Sequence, residues 1–176
     1  MIPSDIINGD CPPPVLKELG NIIDTDFIVV GIGNELRGDD GAGIYIAAEG
    51  MKECAGKFID AGMAIENHIF KITAINEKLV FIVDAMGGDG EAGQIKIIEL
   101  DKLNSQGIST HSLSLKMIDL FFKEAGQKVY LVGIQVSDSS IGSVMCGEVR
   151  ESADILIEFF INKLREFSEP SPAKAD

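Results

Sequence analysis

Cysteine is scarce in this chain. Cys11, Cys54 and Cys146 are odd in number, far apart and never paired as C-x-x-C. That pattern excludes a disulfide framework and a structural zinc site. It leaves buried or incidental thiols. Basic residues are also few, 15 Lys plus Arg against 28 Asp plus Glu, for a net charge of −13. Sites for nucleic-acid or polyphosphate backbones concentrate Lys and Arg, so no nucleic-acid partner is expected. No apolar run approaches the ~18 residues that cross a bilayer, so no membrane insertion is expected. The opening MIPSDIINGDCPPP lacks the basic and apolar regions of a signal peptide, and a cytoplasmic location is expected. No H-E-x-x-H occurs, which excludes a zincin, and no G-x-S-x-G, which disfavours a nucleophile-elbow hydrolase.

What is present reads as one globular domain. The chain has 176 residues, 45% hydrophobic and 24% charged. A chain of this length buries roughly 70% of its unfolded surface and needs no covalent staples. Residues 1–25, with a proline triplet at Pro12 to Pro14, are expected to form a variable N-terminal arm. Residues 26–167 are expected to form a single α/β domain, and 168–176 a frayed tail.

Within the domain, strand and helix patterns alternate. Phe27 to Gly33, Leu79 to Val83 and Val129 to Gln135 are apolar, β-branched runs suited to buried parallel strands, and Phe58 to Asp60 is a brief further one. Gln94 to Leu100 partly alternates and suits an antiparallel edge. Ile44, Ala47, Ala48 and Met51 mark one helix face; Ile65, Ile69 and Ile72 a second. Leu113, Met117 and Leu120 or Phe121 mark a third. Val149, Ala153, Leu156, Phe160 and Leu164 form the stripe of a last helix. The expected fold is a three-layer, doubly wound α/β arrangement. A mainly parallel twisted sheet carries helices on both faces and one antiparallel edge strand. Ligands of such folds sit beyond the carboxyl ends of the strands.

The first strand leads into Gly31-Ile32-Gly33-Asn34-Glu35-Leu36, then Arg37-Gly38-Asp39-Asp40-Gly41-Ala42-Gly43. A dinucleotide loop fits poorly, because Leu36 takes the place of the third glycine. Asp39 and Asp40 would also repel a pyrophosphate. One of these acids is expected to cap the helix and the other to point outward. Asn34 suits an Asx-type bond that fixes the loop. The glycines read equally as packing positions or as room for a ligand. Asp60 and Asp84 end the next two strands. Asp60 reads equally as a helix cap or a ligand, and Asp84 as an orienting group. Of the two histidines, His68 lies in an apolar helix pattern, whereas His111 precedes a helix at a loop boundary. Asp40, Asp60 and His111 therefore come from three segments expected to meet at one edge. Two carboxylates and an imidazole suit a divalent first-row metal with open positions, or acid–base chemistry without one.

These residues carry a resemblance. Gly31-Ile32-Gly33-Asn34, Gly38-Asp39-Asp40-Gly41-Ala42-Gly43, Ile59-Asp60-Ala61-Gly62 with Glu66-Asn67, and Ile82-Val83-Asp84-Ala85 occur in order. Gly93 to Ile98, Thr110-His111 and Leu131-Val132-Gly133-Ile134-Gln135 follow. Over about residues 27–165 the chain resembles the [NiFe]-hydrogenase maturation endopeptidases, most closely the hydrogenase-3-type branch. Many members carry Glu where Asp40 stands, and Gly-Gly where this chain has Ala61-Gly62. A methanogen-type enzyme serving an F420-reducing hydrogenase is another subgroup. The resemblance implies a twisted, mostly parallel sheet between helices. It implies an aspartyl-type endopeptidase that removes a short C-terminal peptide from the hydrogenase large-subunit precursor after nickel insertion. It also implies that Asp40, Asp60 and His111 are the catalytic and metal-contacting set. No metal is then permanently bound; the substrate presents nickel, and zinc or cadmium can replace it in vitro. The rival classes are a non-enzymatic nickel chaperone and a nucleotide- or cofactor-binding protein on the same fold.

Overall fold

The computed structural model of the chain describes residues 13–105 and 112–168. The expected helix–strand alternation is realised as α1 (Pro14–Ile22), β1 (Phe27–Gly31), α2 (Ala42–Glu53), β2 (Phe58–Asp60) and α3 (Ile69–Thr73). Then follow β3 (Leu79–Met86), β4 (Ile95–Glu99), α4 (Ser112–Glu124), β5 (Lys128–Gln135) and α5 (Gly147–Ser168). Short 3-10 turns occupy Gly38–Gly41, Ile65–Asn67 and Leu100–Ser105.

The strands form one five-stranded sheet in the order β2-β1-β3-β5-β4. All neighbours are parallel except β4, which runs antiparallel to β5 at the edge. Neighbouring residues of the central strands face opposite layers, because side chains alternate along a strand. Phe27, Val29, Phe81, Val83, Val132 and Ile134 pack under α1, α2 and α5. Ile28, Val30, Val80, Ile82, Val129 and Leu131 pack in the other layer with Ile69, Ile72, Ile118 and Phe122. On the first face the Phe27 and Phe81 rings meet edge-on at 5.4 Å, and Phe160 of α5 lies 5.3 Å from Phe81.

Four readings of the helices change. Part of the expected arm is α1, whose Leu16 and Leu19 are buried in the core. Pro14 stands in its first turn, where a missing N–H costs nothing. On α2, Ile44 and Ala47 are buried as expected, but Ala42, Ile46 and Gly50 share the buried face while Met51 is exposed. The pattern around Ile65, Ile69 and Ile72 is interrupted and forms a 3-10 turn followed by a short helix. In α4, Ile118 and Phe122 face the core, and Leu120 and Phe121 face outward. The α5 stripe is buried as the spacing required.

The buried face of α2 is built from small residues, and this lets the helix lie almost on the sheet. A Cβ on Gly43 would come within 2.3 Å of the carbonyl oxygens of both Ile32 and Val83. One on Gly31 would lie 1.9 Å from the Gly43 carbonyl oxygen. Both glycines are therefore packing positions. On the outer side, the Tyr45 hydroxyl donates to Asp154 of α5 at 2.6 Å, and the Arg150 guanidinium lies over the Tyr45 ring.

The amino end of the sheet is tied by charge. Lys57, before β2, pairs with Asp26, before β1, and with Glu77, before β3. Burial alone would lower the Lys57 pKa, yet these two carboxylates raise it. The opposite end of the sheet is where the acids collect.

Gly43→Ala gains about 1 kcal/mol of helix propensity. It also forces backbone to move, and overpacking costs about 1–3 kcal/mol at least. The clash, with two carbonyl oxygens at once, lies in the upper half of that range, and denaturant unfolding should show a net loss of about 1–2 kcal/mol. Wild-type stability in this variant would refute the close packing of α2 on β1 and β3.

Candidate active site at the carboxyl edge of the sheet

Beyond β1 the chain turns sharply, and two successive amides hold the neighbouring loops. The Gly33 N–H donates to the Gly62 carbonyl at 3.0 Å, and the Asn34 N–H donates to the Asp40 carbonyl at 3.0 Å. The loops bearing Asp60 and Asp40 are thus fastened to adjacent residues of one turn. Gly33 has φ 144°, and a Cβ there would lie 2.0 Å from the Asp40 oxygen, so only glycine fits. Asn34 Oδ1 accepts from the Leu36 N–H at 3.0 Å, the Asx-type bond its position suggested.

Asp39 and Asp40 divide their work. Asp39 is fully buried. Its two carboxylate oxygens accept from the backbone N–H groups of Ser137, Asp138 and Cys146 at 2.7–2.9 Å. Neither acid caps its own helix, since the residue before α2 is Gly41 and carries no side-chain cap. Asp39 instead secures the loop after β5 and the entry to α5, about a hundred positions later in the chain. Burial pushes its pKa up, but the converging backbone donors outweigh burial and hold it below the usual carboxylate value. Asp40 is left only partly covered beside this clamp.

Asp60 ends β2 in register with Gly31. It is exposed, and its Oδ1 accepts from the Gly62 N–H at 2.8 Å. It caps no helix: the following 3-10 turn is preceded by Ala64 and has no side-chain cap. Asp84 stands one residue beyond Val83, the partner of Gly31 on the other side. Burial, with the negative charge of Asp40 added to it, pushes Asp84 up to about 7, against a smaller lowering by the Ala85 N–H. The sequence marks Asp84 only as an orienting group; its depth and its closeness to Asp40 emerge from the sheet register.

Asp40, in the 3-10 turn after β1, Asp60, at the end of β2, and Asp84, near the end of β3, thus share the carboxyl edge of the sheet. His111, the third member of the expected set, lies outside the described residues, as does Cys11. Among the described residues no three His, Cys, Asp or Glu side chains form a metal-binding group. His68 precedes α3, partly covered, where its carbonyl accepts from the Ile72 N–H. Cys146 is no ready nucleophile. Burial and then the Asp39 carboxylate raise its thiol pKa, against a lowering by the Val149 N–H. The chemistry this edge offers is that of carboxylates: accepting protons, and binding a cation.

Two pH effects follow. Asp84 is protonated in the fold up to about pH 7 but ionises near 3.8 when unfolded. Stability is therefore lost as pH rises from about 4 through 7, by about 1.4 kcal/mol per pKa unit. Asp84→Asn should be more stable than wild type at pH 8, with the difference vanishing near pH 4 in urea titrations. Asp39 has the opposite sign, so its contribution is present above its unfolded pKa of 3.8 and is lost as pH falls through the lower folded value. Asp39→Asn turns an N–H₂ toward backbone donors and should cost about 2–3 kcal/mol at neutral pH. Unchanged unfolding midpoints at pH 7 would contradict the clamp.

Comparisons with known proteins identify the family to which this fold belongs. The family model for hydrogenase maturation protease matches residues 46–163. A putative hydrogenase maturation protease of Methanocaldococcus jannaschii is 28% identical over 151 residues, covering 80% of this chain and 89% of that protein. The hydrogenase 3 maturation protease of Escherichia coli is 33% identical over 112 residues, covering 61% and 71%. The crystal structure of a [NiFe] hydrogenase maturation protease from Thermococcus kodakarensis superposes with a TM-score of 0.76 at 29% identity. It covers 86% of this chain and 99% of that one. With the α/β sheet and the family match in agreement, the chain belongs to the hydrogenase maturation protease family and is a peptide hydrolase.

Proposed function

We propose that this peptidase acts in the cytoplasm on the large-subunit precursor of a [NiFe] hydrogenase, removing a short C-terminal peptide once nickel is in place. The observation that carries the reading is the convergence of Asp40 and Asp60 on one turn of a chain that belongs to this family. Nickel is part of the substrate here. Asp40, Asp60 and His111 contact it, and carboxylate and imidazole donors fit such an ion. The protein keeps no metal of its own, so an empty precursor offers the site nothing to grip.

The chain's own groups then have separate tasks. Asp40 and Asp60 supply negative charge at the mouth of the site. Asp84, whose proton is held up to about pH 7 by burial and by the charge of Asp40, limits the repulsion between itself and Asp40. In the hydrolysis itself, the oxygen of a water attacks the scissile carbonyl carbon. Its proton passes to a carboxylate, the C–N bond breaks, and the leaving amine takes the proton back. The precursor's cation polarises the carbonyl during that step. A nickel chaperone using the same side chains does not explain membership of a peptidase family.

Intact-mass measurement of the precursor, with and without nickel, tests the reading. Wild type should release one defined C-terminal peptide from the nickel-loaded form alone. Asp40→Ala, Asp60→Ala and His111→Ala should each lose about 10²–10⁴-fold in rate while staying folded. Cleavage of the metal-free precursor at the same rate would sink the nickel requirement, and full activity in these variants would sink the triad.

A further inference from the structure

The carboxyl edge carries, besides its acids, a set of large apolar side chains that the proposed chemistry does not use. Leu36, in the loop after β1, is 73% exposed. Ile141 and Val144, in the loop after β5, are 80% and 85% exposed. Met63, after β2, is 73% exposed.

Leu36 and Ile141 are held close together, because the Gly142 N–H donates to the Leu36 carbonyl at 2.8 Å. The two loops are stitched further by Arg37 Nε to the Ser139 carbonyl at 3.0 Å, and by the Asp39 clamp. Within the second loop, the Ser140 N–H donates to Asp138 and the Ser143 hydroxyl donates to the Ser140 carbonyl, both at 2.8 Å. These apolar side chains therefore stand on a braced framework. Their exposure is fixed before any partner arrives, which lowers the ordering cost of binding. On the other side of the Gly33 turn, Met63 follows Gly62, whose carbonyl holds the Gly33 amide.

Charge at this edge is one-sided. The loops 32–41, 60–68, 84–94 and 136–148 each carry at least two Asp or Glu, and Arg37 is their only Lys or Arg. Arg37 already donates to Ser139. The basic residues Lys57, Lys78 and Lys128 stand just before strands or at their start, at the opposite end of the sheet.

We infer that Leu36, Ile141 and Val144 form a docking rim for a stretch of the precursor that combines apolar with basic side chains, seated beside the carboxylate site. The inference rests on the reading under Proposed function and adds the chemistry by which the substrate is recognised. The rim commits to this occupant on two grounds. It is continuous with the site through the short segment from Leu36 to Asp40, and its acidic surround repels an acidic partner while attracting a basic one.

The test uses the full-length protein and nickel-loaded precursor, with the precursor's affinity measured alongside KM and kcat. A combined Leu36→Ser, Ile141→Ser, Val144→Ser variant should raise KM and weaken precursor binding by about tenfold or more, with kcat within about twofold and an unchanged melting temperature. Met51→Ser, an exposed apolar residue near the far end of α2, should leave KM as it was. Because the triple variant alters a braced loop, a charge pair at one exposed position gives a second reading. Val144→Lys should weaken binding more than Val144→Glu, and the gap should shrink with added salt. Wild-type KM in the triple variant, or equal effects of Lys and Glu at position 144, would overturn the docking rim while leaving the protease reading intact. A wild-type protein that neither binds nor cuts the precursor would overturn both.

Discussion

A contact between two pieces of bare backbone governs this molecule. Gly43 rests on the carbonyls of Ile32 and Val83, and Gly31 on the carbonyl of Gly43. The first turn of α2 therefore touches the ends of both β1 and β3. Side chains at these positions would lift the helix off the sheet and carry the Asp39–Asp40 pair with it. The same closeness explains why the buried face of α2 is made of Ala42, Ile46, Ala47 and Gly50 and not of larger residues throughout. A functional group is placed here by leaving atoms out.

The second organising feature is the separation of charge along the strands. Lys57 gathers Asp26 and Glu77 at the amino ends, while Asp40, Asp60 and Asp84 crowd the carboxyl ends. Like charges at short range repel strongly where water is excluded. The molecule answers by letting one of its carboxyls, Asp84, hold a proton up to about neutral pH. Asp39 escapes the problem altogether, because backbone N–H groups surround it. Neighbours in sequence, Asp39 and Asp40 thus differ in kind. One is internal scaffold and the other is left partly exposed at the carboxyl edge.

Much of this was legible in the residues. The apolar runs at Phe27 and Leu79, the alternation in Ile95 to Glu99 and the stripe from Val149 to Leu164 gave the sheet, its antiparallel edge and the last helix. The strand end at Asp60 was legible because an acid directly after a buried run has few places to go, whereas β3 runs two residues beyond Asp84, to Met86. What stayed hidden depended on partners far away in the chain. Pro14–Ile22 looked like an arm because its proline triplet masks a short amphipathic turn whose cover is supplied by the sheet. Part of the α2 face and the end of the α4 stripe were misjudged because Met51, Leu120 and Phe121 are apolar yet uncovered, and periodicity cannot say which of two apolar sides meets the core. Asp39 was read as a local cap because its true partners, Ser137, Asp138 and Cys146, lie at the other end of the domain.

That last link bears on how the protein comes into being. The strand–turn segment that bears Asp40 is made early in synthesis, yet the residues that grip Asp39 are among the last of the domain to leave the ribosome. Loop closure over such a distance is paid before any contact returns it. A nascent chain that stops at the end of β5 holds every strand but has no partner for Asp39, and the turn bearing Asp40 is unbraced. The brace on the Asp40 turn can therefore close only after the last strand of the sheet has been made.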